Sequence, residues 1–155
     1  MAIKGLEDLL MQHPRFKGMP EDFIKAVAGC GKNVVFKAGD YLFHEGDDEN
    51  DIYMIREGLV SLEMDTPGGG PQTFLTETVG GVIGLSWLIP PYIWEFDARA
   101  RADTRAIAFD ATCLRDKCDA DPALGYVVMK QFMPVILERL HDTRVQMLDL
   151  YRARS

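Results

Sequence analysis

The side chains best suited to binding a small molecule are concentrated in residues 80–98. Both tryptophans of the protein, Trp87 and Trp94, lie there together with Tyr92 and Phe96. Aromatic faces combined with a few polar groups are typical of small-molecule sites. The alternative is that these rings only fill a hydrophobic core, and the sequence leaves both interpretations open.

Cysteine is the other reactive side chain, and the chain contains three. An odd number of cysteines without a signal peptide predicts reduced thiols. Cys113 and Cys118 are close in sequence, but a spacing of five residues separates them by about 140° around a helix. A disulfide between them would therefore require local unwinding, and we expect each to be a small core or helix residue.

Catalytic and metal-binding motifs are absent from the sequence. It contains no Gly-x-Ser-x-Gly, no His-Glu-x-x-His and no Walker A motif, which are the common signatures of hydrolases and nucleotidases. His13, His44 and His141 are scattered, so a structural metal would need ligands from distant segments. We predict no catalytic residues, no metal site and a protein that is not an enzyme.

Length and charge restrict the class of protein further. A chain of 155 residues corresponds to one domain, and its hydrophobic content of 47% is that of a globular protein. The 17 Lys and Arg residues against 24 Asp and Glu give a net charge of -7, which opposes binding to a phosphate backbone. No apolar run approaches the ~20 residues that span a bilayer. We therefore expect a cytoplasmic protein without nucleic-acid or membrane partners.

The hydrophobic pattern changes twice along the chain. Helical spacing at the start, from Ile3, predicts two short helices over residues 1–31. Short β-rich runs separated by glycine turns follow, including a hairpin tip at residues 65–72 and an alternating strand over residues 96–102. These runs predict a β-roll over residues 32–120, and helical spacing returns for a long helix over residues 121–155. All three segments form one structural domain.

The long helix carries two apolar stripes. Asp121 and Pro122 supply a cap and a first residue, and Pro134 is expected to kink the helix. A heptad seam is formed by Tyr126, Met129, Met133, Ile136, Leu140, Thr143, Met147 and Leu150. The second stripe, facing the β-roll, comprises Phe132, Val135 and Leu148. The seam could simply cover the open end of the sheet. Because a second stripe is available for that contact, we favour a parallel homodimer in which the seam pairs with its own copy.

The order of the elements and their turn motifs resembles one known family. The motifs are Phe36-Lys-Ala-Gly39-Asp40, Glu45-Gly46-Asp47, Asp51-Ile-Tyr53-Met-Ile55-x-Glu57-Gly58 and Ala98-x-Ala100-x-Ala102-x-Thr104. They resemble the cyclic nucleotide-binding domain of the catabolite-activator (Crp/Fnr-like) family over residues 34–150. The resemblance implies a mainly β fold with flanking helices, a double-stranded β-helix of jelly-roll type with a long C-terminal helix.

The sequence departs from this family in its phosphate-binding segment. The family usually reads Phe-Gly-Glu, a spacer, then Arg-Ser/Thr-Ala, in which the Glu accepts the ribose hydroxyl and the Arg pairs with the phosphate. Here Gly84-Leu85-Ser86 and Phe96-Asp97-Ala98 take these places. Each charge-assisted hydrogen bond lost costs about 1.5–3 kcal/mol, so tight binding of cyclic AMP is disfavoured.

Another arginine could replace the missing one. Arg99 and Arg101 lie on the strand face opposite Phe96, so they are poor candidates. Arg144 is better placed, because it neighbours Thr143, which the resemblance puts beside the purine. The candidate ligand-binding residues are Gly84, Leu85, Ser86, Trp87, Trp94, Phe96, Asp97, Ala98, Thr143 and Arg144.

The resemblance implies a sensory or regulatory module that signals through its long helix to an effector protein. We expect it to stand alone, because the sequence ends where transcription regulators of the family continue into a DNA-binding half. We expect its ligand to be a cyclic nucleotide (cAMP or cGMP) or another small molecule, unless ligand binding has been lost. The alternative is a ligand-free module that binds proteins through the long helix and the aromatic segment.

Overall fold

Two four-stranded antiparallel sheets face each other at the centre of the protein, for which a computed structural model describes residues 5–154. Their strand orders are β1-β8-β3-β6 and β2-β7-β4-β5. The strands are β1 (Gly31–Phe36), β2 (Tyr41–Phe43), β3 (Asp51–Glu57), β4 (Val60–Thr66), β5 (Gly70–Glu77), β6 (Val82–Ile83), β7 (Asp97–Ala100) and β8 (Thr104–Asp110). This arrangement confirms the predicted jelly-roll fold.

Four helices flank the sheets: α1 (Leu6–Gln12), α2 (Glu21–Ala28), α3 (Ala111–Ala120) and α4 (Pro122–Arg154). The predicted helix start at Ile3 lies outside the described residues. Asp110 caps α3 by accepting the Cys113 N–H at 2.8 Å, and Asp121 accepts the Ala123 N–H at the start of α4. These side chains satisfy amide groups that have no partner within a helix.

Two hydrophobic cores lie on opposite faces of the first sheet. Because side chains alternate along a strand, Ile52 and Met54 of β3 face the helices, whereas Tyr53 and Ile55 face the second sheet. The helical core includes Leu6, Leu10, Ile24, Val27, Trp87, Ile107, Phe109, Leu114, Leu124 and Val128. The intersheet core contains Phe43, Tyr53, Ile55, Val60, Leu62, Ile83, Trp94, Ala98 and Ala108.

The outer face of the second sheet carries a buried carboxylate. Glu63 is 1% exposed and accepts hydrogen bonds from Arg99 at 2.8 Å, Arg101 at 2.7 Å and Ser61 at 3.1 Å. Burial opposes its ionisation, but the hydrogen bonds from Arg99 and Ser61 and the charges of both arginines hold the pKa of Glu63 below its usual range. Arg99 and Arg101 therefore point away from the roll interior, as their strand positions predict.

Helix α4 packs on the β-roll only through its first half. Leu124, Val128 and Val135 are buried and Phe132 is half-buried, and the helix continues through Pro134. Residues 140–153 are all exposed. The predicted contact of Leu148 with the β-roll is wrong: Leu148 is 63% exposed. It lies two residues beyond Gln146, whose Nε2 donates to the Phe74 carbonyl of β5 at 3.3 Å. Among the described residues, no helix is long and apolar enough to cross a membrane.

The prediction of three reduced thiols is also wrong. Cys30 and Cys113 form a disulfide, with their Cα atoms 5.8 Å apart. Strand pairing explains the proximity, because Gly31 of β1 lies opposite Phe109 of β8 and the Cys30 carbonyl accepts the Asp110 N–H. This pairing brings Cys30, which precedes β1, close to Cys113 in the first turn of α3, which follows β8. Cys118 is a free, buried thiol whose pKa is raised by burial and by nearby Asp119 and Asp121.

Replacing Glu63 by Gln should destabilise the fold at neutral pH. A carboxylate whose pKa is lowered by folding contributes stability above its ordinary value of 4.5, and that stability is lost as the pH falls through the folded value. We expect Glu63→Gln to lower the free energy of unfolding by about 2 kcal/mol at pH 7, less than for fully buried pairs because both arginines are partly exposed.

Urea unfolding at pH 7 and pH 3 measures this difference, which should narrow at the lower pH. The matched control is Glu57→Gln, since Glu57 is exposed and its replacement should change little at either pH. Equal stability of Glu63→Gln and the unmodified protein at pH 7 would contradict the proposed role of the carboxylate.

Candidate functional site

The segment between β6 and β7, residues 84–96, is called the site loop. Its two tryptophans are buried in different cores. Trp87 contacts Phe132 of α4, with ring centroids 5.8 Å apart, in the helical core. Trp94 stacks on Phe43 with centroids 3.4 Å apart and an interplanar angle of 7°, in the intersheet core. The loop is thereby anchored to both faces of the first sheet.

Phe96 lies inside an aromatic cluster. Its ring centroid is 5.7 Å from that of Phe43, 6.0 Å from that of Trp94 and 5.6 Å from that of Phe74. Tilted and edge-on contacts at these distances stabilise aromatic pairs. The position at which the resemblance expects a phosphate-binding arginine is therefore occupied by hydrophobic packing.

Asp97 and Ala98 also have structural partners. The Asp97 Oδ1 atom accepts the Glu45 N–H at 2.7 Å and lies 3.7 Å from His44 Nδ1. Ala98 is fully buried between Phe43 and Leu62 of the intersheet core. Asp97 thus holds the turn after β2 against β7, where the family places a hydroxyl.

The start of the site loop rests on Glu49, a residue that sequence reasoning missed. Ser86 Oγ donates to Glu49 Oε2 at 2.6 Å. Gly84 has a φ of +120°, and a Cβ atom there would lie 3.1 Å from Glu49 Oε1 and 3.3 Å from the Trp94 ring. Any larger residue would therefore be both strained in its backbone and crowded. Leu85, which replaces the ribose-binding Glu of the family, is half-buried.

Glu49 is a buried carboxyl group, 1% exposed. Burial raises its pKa, Glu95 adds to the effect, and the Ser86 hydrogen bond and the charge of Arg115 oppose it. Its Oε1 atom has no hydrogen-bond partner among the described residues. The sequence gives no sign of this, because Glu49 sits in an acidic turn whose other members are exposed.

Arg115 of α3 holds the middle of the site loop. Its Nη1 donates to the carbonyl of Trp87, and its guanidinium carbon lies 4.1 Å from the centroid of the Tyr92 ring. This distance is within the range of a cation–π contact. The loop is therefore fixed by α3 as well as by its own aromatic residues.

A groove of about 300 Å³ lies between the β4–β5 hairpin and α4. It is lined by Met64, Phe74, Leu75, Arg139, Asp142, Thr143 and Gln146. Phe74 connects it to the site loop through the contact with Phe96. One wall is apolar and comes from the hairpin, and the other is polar and comes from the helix.

The two candidate residues on α4 are placed differently. Thr143 lines the groove and donates to the Arg139 carbonyl at 2.8 Å. Arg144 is exposed and is not among the groove residues. The arginine that reaches the groove is Arg139, whose Nη2 donates to the Val82 carbonyl at 2.6 Å and to Glu77 at 3.1 Å.

Metal binding has no support from the described part of the chain. Within residues 5–154, no group of three or more His, Cys, Asp and Glu side chains is arranged to hold a metal ion. Polar groups of the site loop and the groove form hydrogen bonds within the protein instead. Within the described residues the groove is open for a ligand, as is a cavity of about 330 Å³ beside Phe43 and Trp94 whose lining includes Asp47, Asp48 and Asp51.

Comparison with known proteins identifies the family to which this fold belongs. A family model of the cyclic nucleotide-binding domain matches residues 33–121. The chain belongs to this family. The match runs from residue 33, within β1, through the site loop to the end of α3, so it contains all of the β-roll except the first two residues of β1.

Several solved structures share the fold. A protein of Geobacter metallireducens GS-15, assigned to cyclic nucleotide binding, is 26% identical, with a TM-score of 0.77 over 88% of this chain and 98% of its own. A cyclic nucleotide-binding domain of Methylobacillus flagellatus KT is 18% identical, with a TM-score of 0.78 over 94% and 82%. The Thermus thermophilus catabolite activator protein is 21% identical, with a TM-score of 0.70 over 90% and 63%.

A curated relative is cyclic nucleotide-gated ion channel 18 of Arabidopsis thaliana. It is 30% identical over 89 residues, which are 54% of this chain and 12% of the channel. The chain thus matches only a small part of that protein. The similarity concerns the cyclic nucleotide-binding domain and not the rest of the channel.

Replacing Glu49 by Gln should stabilise the protein at neutral pH. A carboxyl whose pKa is raised by folding loses stability as the pH rises from its ordinary value of 4.5 through the folded value. Glu49→Gln removes the buried charge, so we expect a higher urea midpoint at pH 7 than for the unmodified protein.

The advantage of Glu49→Gln should shrink when the same unfolding experiment is done at pH 4, where the unmodified carboxyl is increasingly protonated. Glu45→Gln is the control, because Glu45 is an exposed member of the same acidic turn. A lower midpoint for Glu49→Gln at pH 7 would show instead that the charge stabilises the loop.

Proposed function

We propose that this protein is a ligand-sensing regulatory domain of the cyclic nucleotide-binding family whose ligand is not held by a phosphate group. The observation that carries the proposal is the aromatic environment of Phe96. A cyclic phosphate placed there would meet three aromatic rings, and the position itself carries Phe96 in place of a cation. Its desolvation would then be uncompensated, which is costly for a charged group.

Four arginines on the elements that flank the site loop and the groove are engaged within the protein. Arg139, which lines the groove, is bound to Glu77 and to the Val82 carbonyl. Arg99 and Arg101 are bound to Glu63 on the outer face of the sheet. Arg115 is bound to the Trp87 carbonyl. The buried Glu49 carboxyl beside Gly84 adds an acidic group where the family favours an anion. These contacts support loss of phosphate recognition.

The groove supports a flat heterocycle as the ligand. Met64, Phe74 and Leu75 offer an apolar surface. The Thr143 hydroxyl and the Gln146 amide donate to the Arg139 and Phe74 carbonyls, and their oxygen atoms can still accept hydrogen bonds from a ligand. Its volume of about 300 Å³ accommodates a nucleobase or a group of similar size. A cyclic nucleotide such as cAMP or cGMP would bind through its base alone. Because one wall belongs to α4, a ligand would fix this helix against the hairpin and so signal to an effector protein.

The exposed part of α4 supports a homodimer. The heptad-seam residues Met133, Ile136, Leu140, Met147 and Leu150 are 36–66% exposed. Apolar side chains repeated at this spacing are stabilised by pairing with a second helix. We propose a second copy of the chain as the partner and a binding role without catalysis.

The second candidate function is a ligand-free module that binds another protein. Its support is the same apolar surface on α4 together with the filled intersheet core. Under this hypothesis the site loop is only part of the core, and the groove stays empty. The ligand experiment below separates the two functions.

Calorimetry with adenosine and cyclic AMP tests the absence of phosphate recognition. We expect the two dissociation constants to agree within about threefold, because a missing charge-assisted hydrogen bond of 1.5–3 kcal/mol corresponds to about 10–150-fold. Phe96→Arg should strengthen cyclic AMP relative to adenosine by at least about tenfold.

Thr143→Val is the companion variant, and it should weaken both ligands equally. The proposal would be contradicted if the unmodified protein bound cyclic AMP a hundredfold more tightly than adenosine. If neither compound nor free adenine gives a calorimetric binding signal, the ligand-free module is favoured.

Sedimentation at micromolar concentrations tests the dimer. Leu140→Asp with Leu150→Asp places charges in the heptad seam, and we expect this double variant to sediment as a monomer while the unmodified protein sediments as a dimer. Leu148→Asp is the control, because Leu148 is equally exposed but lies outside the seam. A monomeric unmodified protein at these concentrations would rule out the dimer.

A further inference from the structure

The Cys30–Cys113 disulfide joins two parts of the chain that lie 83 residues apart. Cys30 is buried in the turn between α2 and β1, whereas Cys113 is half-buried in the first turn of α3. A cross-link that closes a long segment restricts the chain strongly. Of the two sulfur atoms, that of Cys113 belongs to the more accessible residue.

Helix α3 contacts the site loop on its other side. Arg115, two residues after Cys113, donates to the Trp87 carbonyl and lies over the Tyr92 ring. The same helix leads directly into α4 through Asp121. The position of α3 is therefore shared by the disulfide, the site loop and the long helix.

We propose that Cys30 and Cys113 form a reversible thiol–disulfide switch that controls the mobility of the site loop through α3 and Arg115. In the oxidised state the disulfide fixes the first turn of α3 to the α2–β1 turn. In the reduced state α3 is held there only by non-covalent contacts. The site loop then loses a rigid support. This proposal does not depend on which ligand the groove binds.

The reduced protein retains enough contacts to stay folded. Lys117 Nζ donates to the Ala26 carbonyl at 2.7 Å, and Ala111 and Leu114 remain buried in the helical core. The Asp110 N–H also keeps its bond to the Cys30 carbonyl. Reduction should therefore loosen α3 without unfolding the domain.

The reaction is an exchange with a low-molecular-weight disulfide such as oxidised glutathione. The Cys113 thiolate attacks one sulfur of that disulfide and releases a first small thiol. The Cys30 thiolate then attacks the Cys113 sulfur and releases a second. The two cysteines lose two electrons to the small disulfide, and their two protons end on the released thiols. Buried Cys118 has a raised pKa and is a poor competitor.

Hydrogen exchange of the full chain tests the switch. The protein is compared after treatment with oxidised glutathione and with dithiothreitol, and peptide mapping without reductant identifies the linked cysteines. We expect a Cys30–Cys113 cross-linked peptide in the oxidised sample. On reduction, exchange in residues 84–96 and 111–120 should become at least about tenfold faster and should slow again on reoxidation.

Three variants distinguish the proposed switch from a general increase of hydrogen exchange throughout the protein. Cys113→Ser should exchange like the reduced protein under both treatments, whereas Cys118→Ser should respond like the unmodified chain. Arg115→Ala should keep the cross-link and the response of α3 but lose the response of the site loop. Equal loop exchange in the two redox states of the unmodified protein, or no Cys30–Cys113 peptide after oxidation, would overturn the proposal.

Discussion

The volume between the two sheets is the constraint on which the rest of the structure depends. In this fold the intersheet space must be filled either by side chains or by a bound molecule, since protein interiors are packed to the density of organic crystals. Here Ala98 and Ala108 contribute little volume, and the rings of Phe43, Tyr53 and Trp94 occupy the space they leave. With these rings filling the interior, the groove beside α4 offers a ligand the surface that connects the site loop to the long helix.

Much of the fold and part of the candidate site could be predicted from local sequence patterns. The glycine turns, the alternation around Ala98 and the cap at Asp121 depend on a few neighbouring residues, whose preferences are strong. Placement of Arg99 and Arg101 followed from the same alternation. The aromatic residues of the site loop were also recognisable, although their number could not show which core each would enter.

The remaining features depend on contacts between distant segments. The Cys30–Cys113 pair forms because β1 lies beside β8, a pairing that no local pattern encodes. Glu49 is one acidic residue among several in its turn, and its burial arises only when Ser86 and Trp94 close over it. The heptad spacing of α4 continues unchanged beyond the packed half of the helix, so periodicity could not reveal that Leu148 is exposed.

Helix α4 acts mechanically as a lever whose pivot lies beside the groove. At 1.5 Å per residue, the exposed residues 140–153 project about 20 Å beyond the packed half. A tilt of about 10° at the pivot would displace the far end sideways by about 3.5 Å, which is more than twice the 1.5 Å rise of one helical residue. In the proposed signalling role, a small rearrangement near Thr143 would therefore be amplified towards the C-terminal end of α4.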